Sequence, residues 1–266
     1  MSRSSEHLKR EISTSAIEEN YKKLVSITEN SECSAVVKAN AYGLGIGYVV
    51  PSLLKCGCKT FFVADTNEGM RLRKIAPKSN IYVLSGIGEY NIDHYRDANL
   101  TPVINDSHGL EFVKSNEIQF SAPMALHIDM SMNRLGLRAS DLGNLSAEDR
   151  QKPLLIMSHF ANADITDHED NDKQIKFFME LARHFSNSKF SLANSAATLT
   201  MKSAHLDMVR PGIAIYGGNP LNLDPNPMDT VLSAYARIIS IYDAAAGDKF
   251  GYGSTFEAKH KMKVAV

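Results

Sequence analysis

The chain has 266 residues, 44% of them hydrophobic and 22% charged, which suits one large core and part of another. A formal net charge of −1 offers no electrostatic attraction to nucleic acid or to an anionic membrane. Three cysteines, Cys33, Cys56 and Cys58, form an odd set with no Cys/His cluster beside it, which argues against a disulfide framework and against a metal site of the zinc type.

In chain order, residues 1–7 lack a signal-peptide core, and no apolar run approaches the length of a membrane span. A cytoplasmic protein without a membrane partner is expected. Short β-rich apolar runs follow at 35–37, 60–64, 81–84, 101–104, 124–128, 154–157, 190–193 and 207–209. Helix-like segments lie between them at 49–55, 68–75, 110–113 and 174–185. The last carries Ile175, Phe178, Met179, Ala182 and Phe185 near helical spacing. Eight strands alternating with helices predict an α/β protein with a parallel sheet, and the count favours a (β/α)8 TIM-type barrel. After Pro227 the pattern changes to loose alternation at 231–242, turns at 246–248 and 252–254, and a strand from Lys261. The expected division is a barrel over 1–228 and the first strands of an antiparallel β domain over 229–266. The second part stops in mid-strand, so the chain is expected to be a C-terminally truncated fragment.

Polar and reactive residues gather where the strands end: Lys38, Asp65, Ser85, Asn105, Asp129, His159, Asn194, Ser195 and Arg210. A parallel barrel builds its active site at the carboxyl ends of its strands. Lys38 follows Ala35-Val36-Val37 and precedes Ala39-Asn40-Ala41-Tyr42-Gly43. An apolar setting disfavours the ammonium and favours a nucleophilic amine. Such amines form Schiff bases with carbonyl compounds, pyridoxal 5′-phosphate (PLP) among them. A lysine snorkelling from a strand end to water would have the same local sequence.

Four further segments accompany it: Ile128-Asp129-Met130-Ser131-Met132-Asn133-Arg134-Leu135-Gly136, Ser158-His159-Phe160-Ala161, Asn194-Ser195-Ala196-Ala197, and Arg210-Pro211-Gly212-Ile213-Ala214-Ile215-Tyr216-Gly217. With the Lys38 segment, and in this order, they resemble the alanine racemase family over nearly the whole chain. The resemblance implies an N-terminal PLP barrel with a C-terminal β domain, interconversion of L- and D-alanine for peptidoglycan, and a homodimer whose active site is shared across the interface. Lys38 matches the lysine that carries PLP and serves as the base on the D-face. Arg210 matches the arginine facing the pyridine nitrogen, which it cannot protonate. Tyr42, Ser195, Gly212 and Ile213 match positions around the phosphate, with Asn194 beside them. Ser195 reads equally as the N-cap of a helix from Ala196. His159 matches a histidine next to the coenzyme, and Arg134 an arginine near its phenolic oxygen and the substrate carboxylate.

The chain departs from the resemblance in three places. His127 stands where many members carry a carbamylated lysine, leaving either an anion or a neutral imidazole as the partner of Arg134. Ser191 stands where many have a histidine, so weaker polarisation of Arg210 is expected. The tyrosine that acts as second base belongs to a motif beyond residue 266, so poor racemisation by this chain is expected. Two other readings fit parts of the pattern: a non-enzymatic PLP-binding barrel, and a basic amino-acid decarboxylase, which would usually present a glutamate to the ring nitrogen instead of Arg210.

Overall fold

The computed structural model describes residues 8–116, 123–151 and 153–266. The start at 1–7, read above for a signal peptide, lies outside them. The chain divides into two compact units, one of residues 13–231 and one that joins the N-terminal strand to residues 232–266.

The strands in chain order are β1 (Leu8–Ile12), β2 (Glu32–Cys33), β3 (Ala35–Val36), β4 (Thr60–Val63), β5 (Asn80–Val83), β6 (Thr101–Ile104), β7 (Met124–His127), β8 (Pro153–Met157), β9 (Lys189–Ser191) and β10 (Met208–Val209). Strands β2 to β10 make one nine-stranded sheet in the order β2-β10-β9-β8-β7-β6-β5-β4-β3, parallel throughout. Its two outer strands are consecutive in the chain, separated by Ser34 alone. They are therefore halves of one stave, and the sheet closes as an eight-staved barrel. Ser34 N–H donates to Val209 O (3.0 Å) across that join. All eight strands expected from the sequence are present; the break at Ser34 was not foreseen.

Local chemistry explains where the helices start. Asp65, Asp106 and Asn194 each follow a strand in extended backbone, and each accepts from an amide one turn ahead: Glu68 N, Gly109 N and Ala197 N. Each capped helix satisfies an orphan donor at the strand's carboxyl end, which is where a barrel places its site. Asp65, one of the polar strand-end residues, is thus a helix cap. The segment expected at 174–185 starts earlier, at Glu169, and runs to Ala182. The His168 side chain caps it, and Glu169, Asp170 and Asp172 in its first turn suit the positive end of the helix dipole. The helix Thr14–Thr28 was not expected, although Ile17, Tyr21, Leu24 and Thr28 are buried at helical spacing behind the cap Ser13.

The barrel interior is filled by Val36, Phe62, Tyr82, Val103, Ala125, Leu155, Met157 and Met208. The Phe62 and Tyr82 rings stack at 4.9 Å. Alternation along each strand sends these side chains inward and their neighbours toward the helices. The larger aliphatic and phenylalanine side chains among them each contribute about 1.5–3 kcal/mol through burial. Cys33 and Cys58 are buried free thiols, and Cys56 is also free.

The other unit contains three two-stranded antiparallel sheets: β1 with β11 (Leu232–Ala236), β12 (Ile241–Ala244) with β15 (Met262–Ala265), and β13 (Lys249–Phe250) with β14 (Phe256–Glu257). The antiparallel texture expected after residue 229 is therefore seen. The division differs at the other terminus, because β1 pairs with β11, from Leu8 opposite Ala236 to Ile12 opposite Leu232. A strand that runs antiparallel has no place in an all-parallel barrel.

Candidate active site

Lys38, Tyr42, Arg134, His159, Asn194, Ser195, Arg210, Gly212 and Ile213 all line one cavity of about 600 Å³, together with His127, Phe62 and Met157. The cavity draws on the carboxyl ends of strands β3, β4, β5, β7, β8, β9 and β10. Every residue that the resemblance assigned to the site is thus brought to one place; of the other polar strand-end residues, Ser85 also lines the cavity and Asp65, Asn105 and Asp129 do not.

Lys38 is half-buried at the end of β3. Loss of hydration is the largest influence on its amine and lowers its pKa; the Arg134 guanidinium lowers it further, and the Glu68 carboxylate opposes both. The backbone after it is unusual. Ala39, Asn40, Ala41 and Tyr42 have φ of 52°, 53°, 55° and 54°, and Gly43 follows at 87°. This is a turn of left-handed helix, which costs L-residues about 1–2 kcal/mol each. Ala41 N–H donates to Val37 O (2.8 Å) and Gly43 N–H to Ala39 O (2.9 Å).

Arg210 is 5% exposed and has no carboxylate partner among the described residues. Its Nη1 donates to Ser191 Oγ and its Nη2 to Ser158 O, both at 2.5 Å, and its guanidinium lies 5.9 Å above the Phe62 ring. Ser191 Oγ in turn donates to Met208 O (2.6 Å). Burial lowers the Arg210 pKa to about 9, so the group stays cationic at neutral pH. Ser191, at the position noted above for its missing histidine, therefore holds the arginine through a neutral acceptor and leaves its charge uncompensated.

Two histidines complete the wall. His127 Nδ1 is 2.9 Å from Asn105 Oδ1. Asn105 Nδ2 donates to Leu84 O (2.8 Å) and Val103 O (3.2 Å), so its Oδ1 is an acceptor and His127 carries its proton on Nδ1. Burial, then the fields of Arg210 and Arg134, push His127 down to about 4. The same influences, with His127 and Lys38 added, push His159 to about 3. Both imidazoles are neutral at pH 7. His127 and Arg134 line the same cavity, and the Arg134 charge helps to keep the imidazole at position 127 neutral.

Ser195, which also lines the cavity, accepts at its Oγ from Gly212 N (2.9 Å) and Ala214 N (3.2 Å). The helix cap beside it is Asn194, so Ser195 is the first helical residue and not the N-cap. A Cβ at Gly212 would run into the Tyr42 hydroxyl. The Ser195 and Tyr42 hydroxyls, a helix N-terminus at Ser195 and a glycine that leaves the approach open make a cradle suited to a phosphate. An amine, a guanidinium and this cradle, all lining one cavity, are the three groups that the aldehyde, ring nitrogen and phosphate of PLP call for.

The Arg134 loop is held by Asp129, whose two carboxylate oxygens accept from Asn133 N at 3.1 Å. Gly136 returns the chain at φ 125°, against the backbone of Asp129 and Ile128. Gly136→Ala has no room for its methyl group and the wrong φ, and is expected to cost about 2 kcal/mol or more. A urea denaturation midpoint equal to that of the parent would refute this.

Sequence reading missed Glu68 and the role of Asn105. Glu68 had a visible signal, since Asp65-Thr66-Asn67-Glu68 has capping-box spacing. The cap forms, with Glu68 N–H donating to Asp65 Oδ1 (2.9 Å), but the Glu68 carboxylate turns instead to Asn40 N (2.7 Å) and Ala64 N (2.8 Å).

Fold and cavity together define a (β/α)8 barrel with a lysine-centred, anion-receiving site. The profile described as the alanine racemase N-terminal domain matches residues 12–220. The alanine racemase of Rhizobium meliloti (strain 1021) is 34% identical over 259 residues, spanning 96% of this chain and 68% of that protein. That of Methylobacterium sp. (strain 4-46) is 36% identical over 262 residues, spanning 96% and 71%. Among solved structures, alanine racemase from Bartonella henselae with covalently bound pyridoxal phosphate superposes with a TM-score of 0.88 at 30% identity, covering 98% of this chain and 74% of that one. The biosynthetic alanine racemase from Pseudomonas aeruginosa gives 0.89 at 32%, covering 97% and 74%. The chain belongs to the alanine racemase family.

Proposed function

We propose that this protein is a PLP-dependent alanine racemase, an isomerase that interconverts L- and D-alanine, with Lys38 as its cofactor-bearing residue. The observation that carries the reading is the meeting of Lys38, buried Arg210 and the Ser195–Gly212 cradle in one cavity of about 600 Å³. Bound there, the coenzyme supplies the electron sink that acidifies the α-carbon of an amino acid. The chain's own residues supply the rest. Lys38 Nζ would hold the aldehyde carbon and then take or return the α-proton on one face. Tyr42, Ser195, Gly212 and Ile213 would hold the phosphate, beside Asn194. Arg210 would face the ring nitrogen with a cation that has no proton to spare, which tempers the sink and limits side reactions. Arg134, on its Asp129-braced loop, would orient the substrate carboxylate, and neutral His159 would pack beside the ring and link to Arg210.

The same reading places D-alanine in peptidoglycan synthesis, makes the active form a homodimer that shares the site, and puts the protein in the cytoplasm. Three free cysteines suit a reducing compartment. Incubation with PLP, reduction by borohydride and peptide mapping by mass spectrometry should locate a pyridoxyl group on Lys38. Its absence there, or equal labelling of surface lysines, would overturn the proposal.

A further inference from the structure

We propose that Glu68 is a positioning residue for Lys38: its carboxylate clamps the left-handed turn that follows the lysine and so sets where the amine meets an aldehyde. This rests on the reading that Lys38 carries the coenzyme. Glu68 sits in the first turn of the helix Thr66–Ile75, one stave away from Lys38, and is 6% exposed. Its two oxygens each take one backbone amide, Oε1 from Asn40 (2.7 Å) and Oε2 from Ala64 (2.8 Å). One carboxylate therefore ties the loop after β3 to the end of β4. A charged acceptor makes stronger bonds to N–H groups than a neutral one.

The turn needs such a tie. Ala39, Asn40, Ala41 and Tyr42 all have φ above 50°, a conformation that L-residues leave unless surrounding structure holds them. Asn40 is its most fastened member. Its side-chain Oδ1 accepts from Ile46 N (3.1 Å) and its carbonyl from Gly45 N (2.8 Å), while its own N–H is the one given to Glu68. Were the turn to relax to right-handed backbone, Lys38 would leave the cavity axis and Tyr42 would leave Gly212. The carboxylate also faces the amine electrostatically and favours its protonation, opposed by Arg134. The charge on Lys38 in turn reaches His159 and helps to keep that imidazole neutral.

Glu68→Gln keeps the volume and offers one acceptor where two are needed. One buried amide is then unpaired, and the half-saturating PLP concentration is expected to rise about tenfold. Ala39→Gly removes the steric penalty of left-handed backbone at one position of the turn. Placed on top of Glu68→Gln it should recover most of the lost PLP binding, an outcome that a general packing role for Glu68 does not provide. Reductive methylation of the apo chain, followed by mass spectrometry, reads the amine directly. Its pH midpoint at Lys38 should fall in Glu68→Gln and stay in place in Ala39→Gly.

If Glu68→Gln does not fold, amide hydrogen exchange on the unaltered apo chain decides, with Asn40 and Ala64 amides expected to be protected together. An Asn40 amide exchanging like a free peptide, a Glu68→Gln protein that binds PLP as the parent does, or no rescue by Ala39→Gly would overturn the inference. Failure of the parent chain to carry a pyridoxyl group on Lys38 would instead defeat the functional reading and leave the exchange result standing.

Discussion

Lys38→Arg abolishes exchange of the α-proton of D-alanine in deuterium oxide, with a fall of about 10⁴-fold or more measured by proton NMR. Arginine preserves the long apolar stem and the positive charge, so the loop around it should still fold. It remains cationic at any working pH and presents no lone pair. The parent amine differs in that loss of hydration and the Arg134 field both lower its pKa, which raises the fraction able to attack a carbonyl or accept a proton. Two functions disappear together in the variant, covalent capture of the coenzyme and proton transfer at the α-carbon. The assay follows one face of the α-carbon only, and so reads Lys38 without reference to any second base. Exchange by Lys38→Arg at even a tenth of the parental rate would remove Lys38 from the centre of the mechanism.

Acid weakens the fold through its buried histidines. An unfolded histidine titrates near 6.5, whereas folded His127 stays neutral down to about 4. Between those values the unfolded chain binds the extra proton, so stability falls as pH drops through that window. At pH 5 the loss assigned to His127 is about 2 kcal/mol, a large share of the net stability of an ordinary domain. His159, neutral down to about 3, adds to it in the same direction. His127→Gln can still donate to Asn105 and has no proton to gain. Urea midpoints measured at pH 7 and pH 5 should therefore lie closer together for this variant than for the parent. Equal separation in the two proteins, or an NMR titration of His127 near 6.5, would refute the burial of a neutral imidazole.

Much of this molecule could be read from local pattern. Strand and helix periods are properties of neighbouring residues, and the eight parallel strands appear where the alternation of apolar runs puts them. Reactive residues at strand ends were legible for a related reason, because a parallel barrel turns every carboxyl end toward one mouth. Lys38, His159, Ser195 and Arg210 could be named from their strand ends before any contact was known, whereas Arg134 was named only by the resemblance of its segment to the family. The role of Ser195 was less legible. A serine ahead of a helix looks like a cap, and only the Asn194 bond to Ala197 N shows that the cap lies one residue earlier.

The remaining features depend on groups far apart in the chain, and no local period records them. Residue types and their spacing specified the barrel class and the amine chemistry. Folding was needed to bring Glu68 to Asn40, Asn105 to His127 and Ser191 to Arg210, and to pair β1 with β11. Each of these satisfies a buried donor or an open strand edge with a partner that sequence distance conceals. The protonation states follow from the same cause: burial and neighbouring guanidinium groups, not residue type, make both histidines neutral and lower the proton affinity of Lys38.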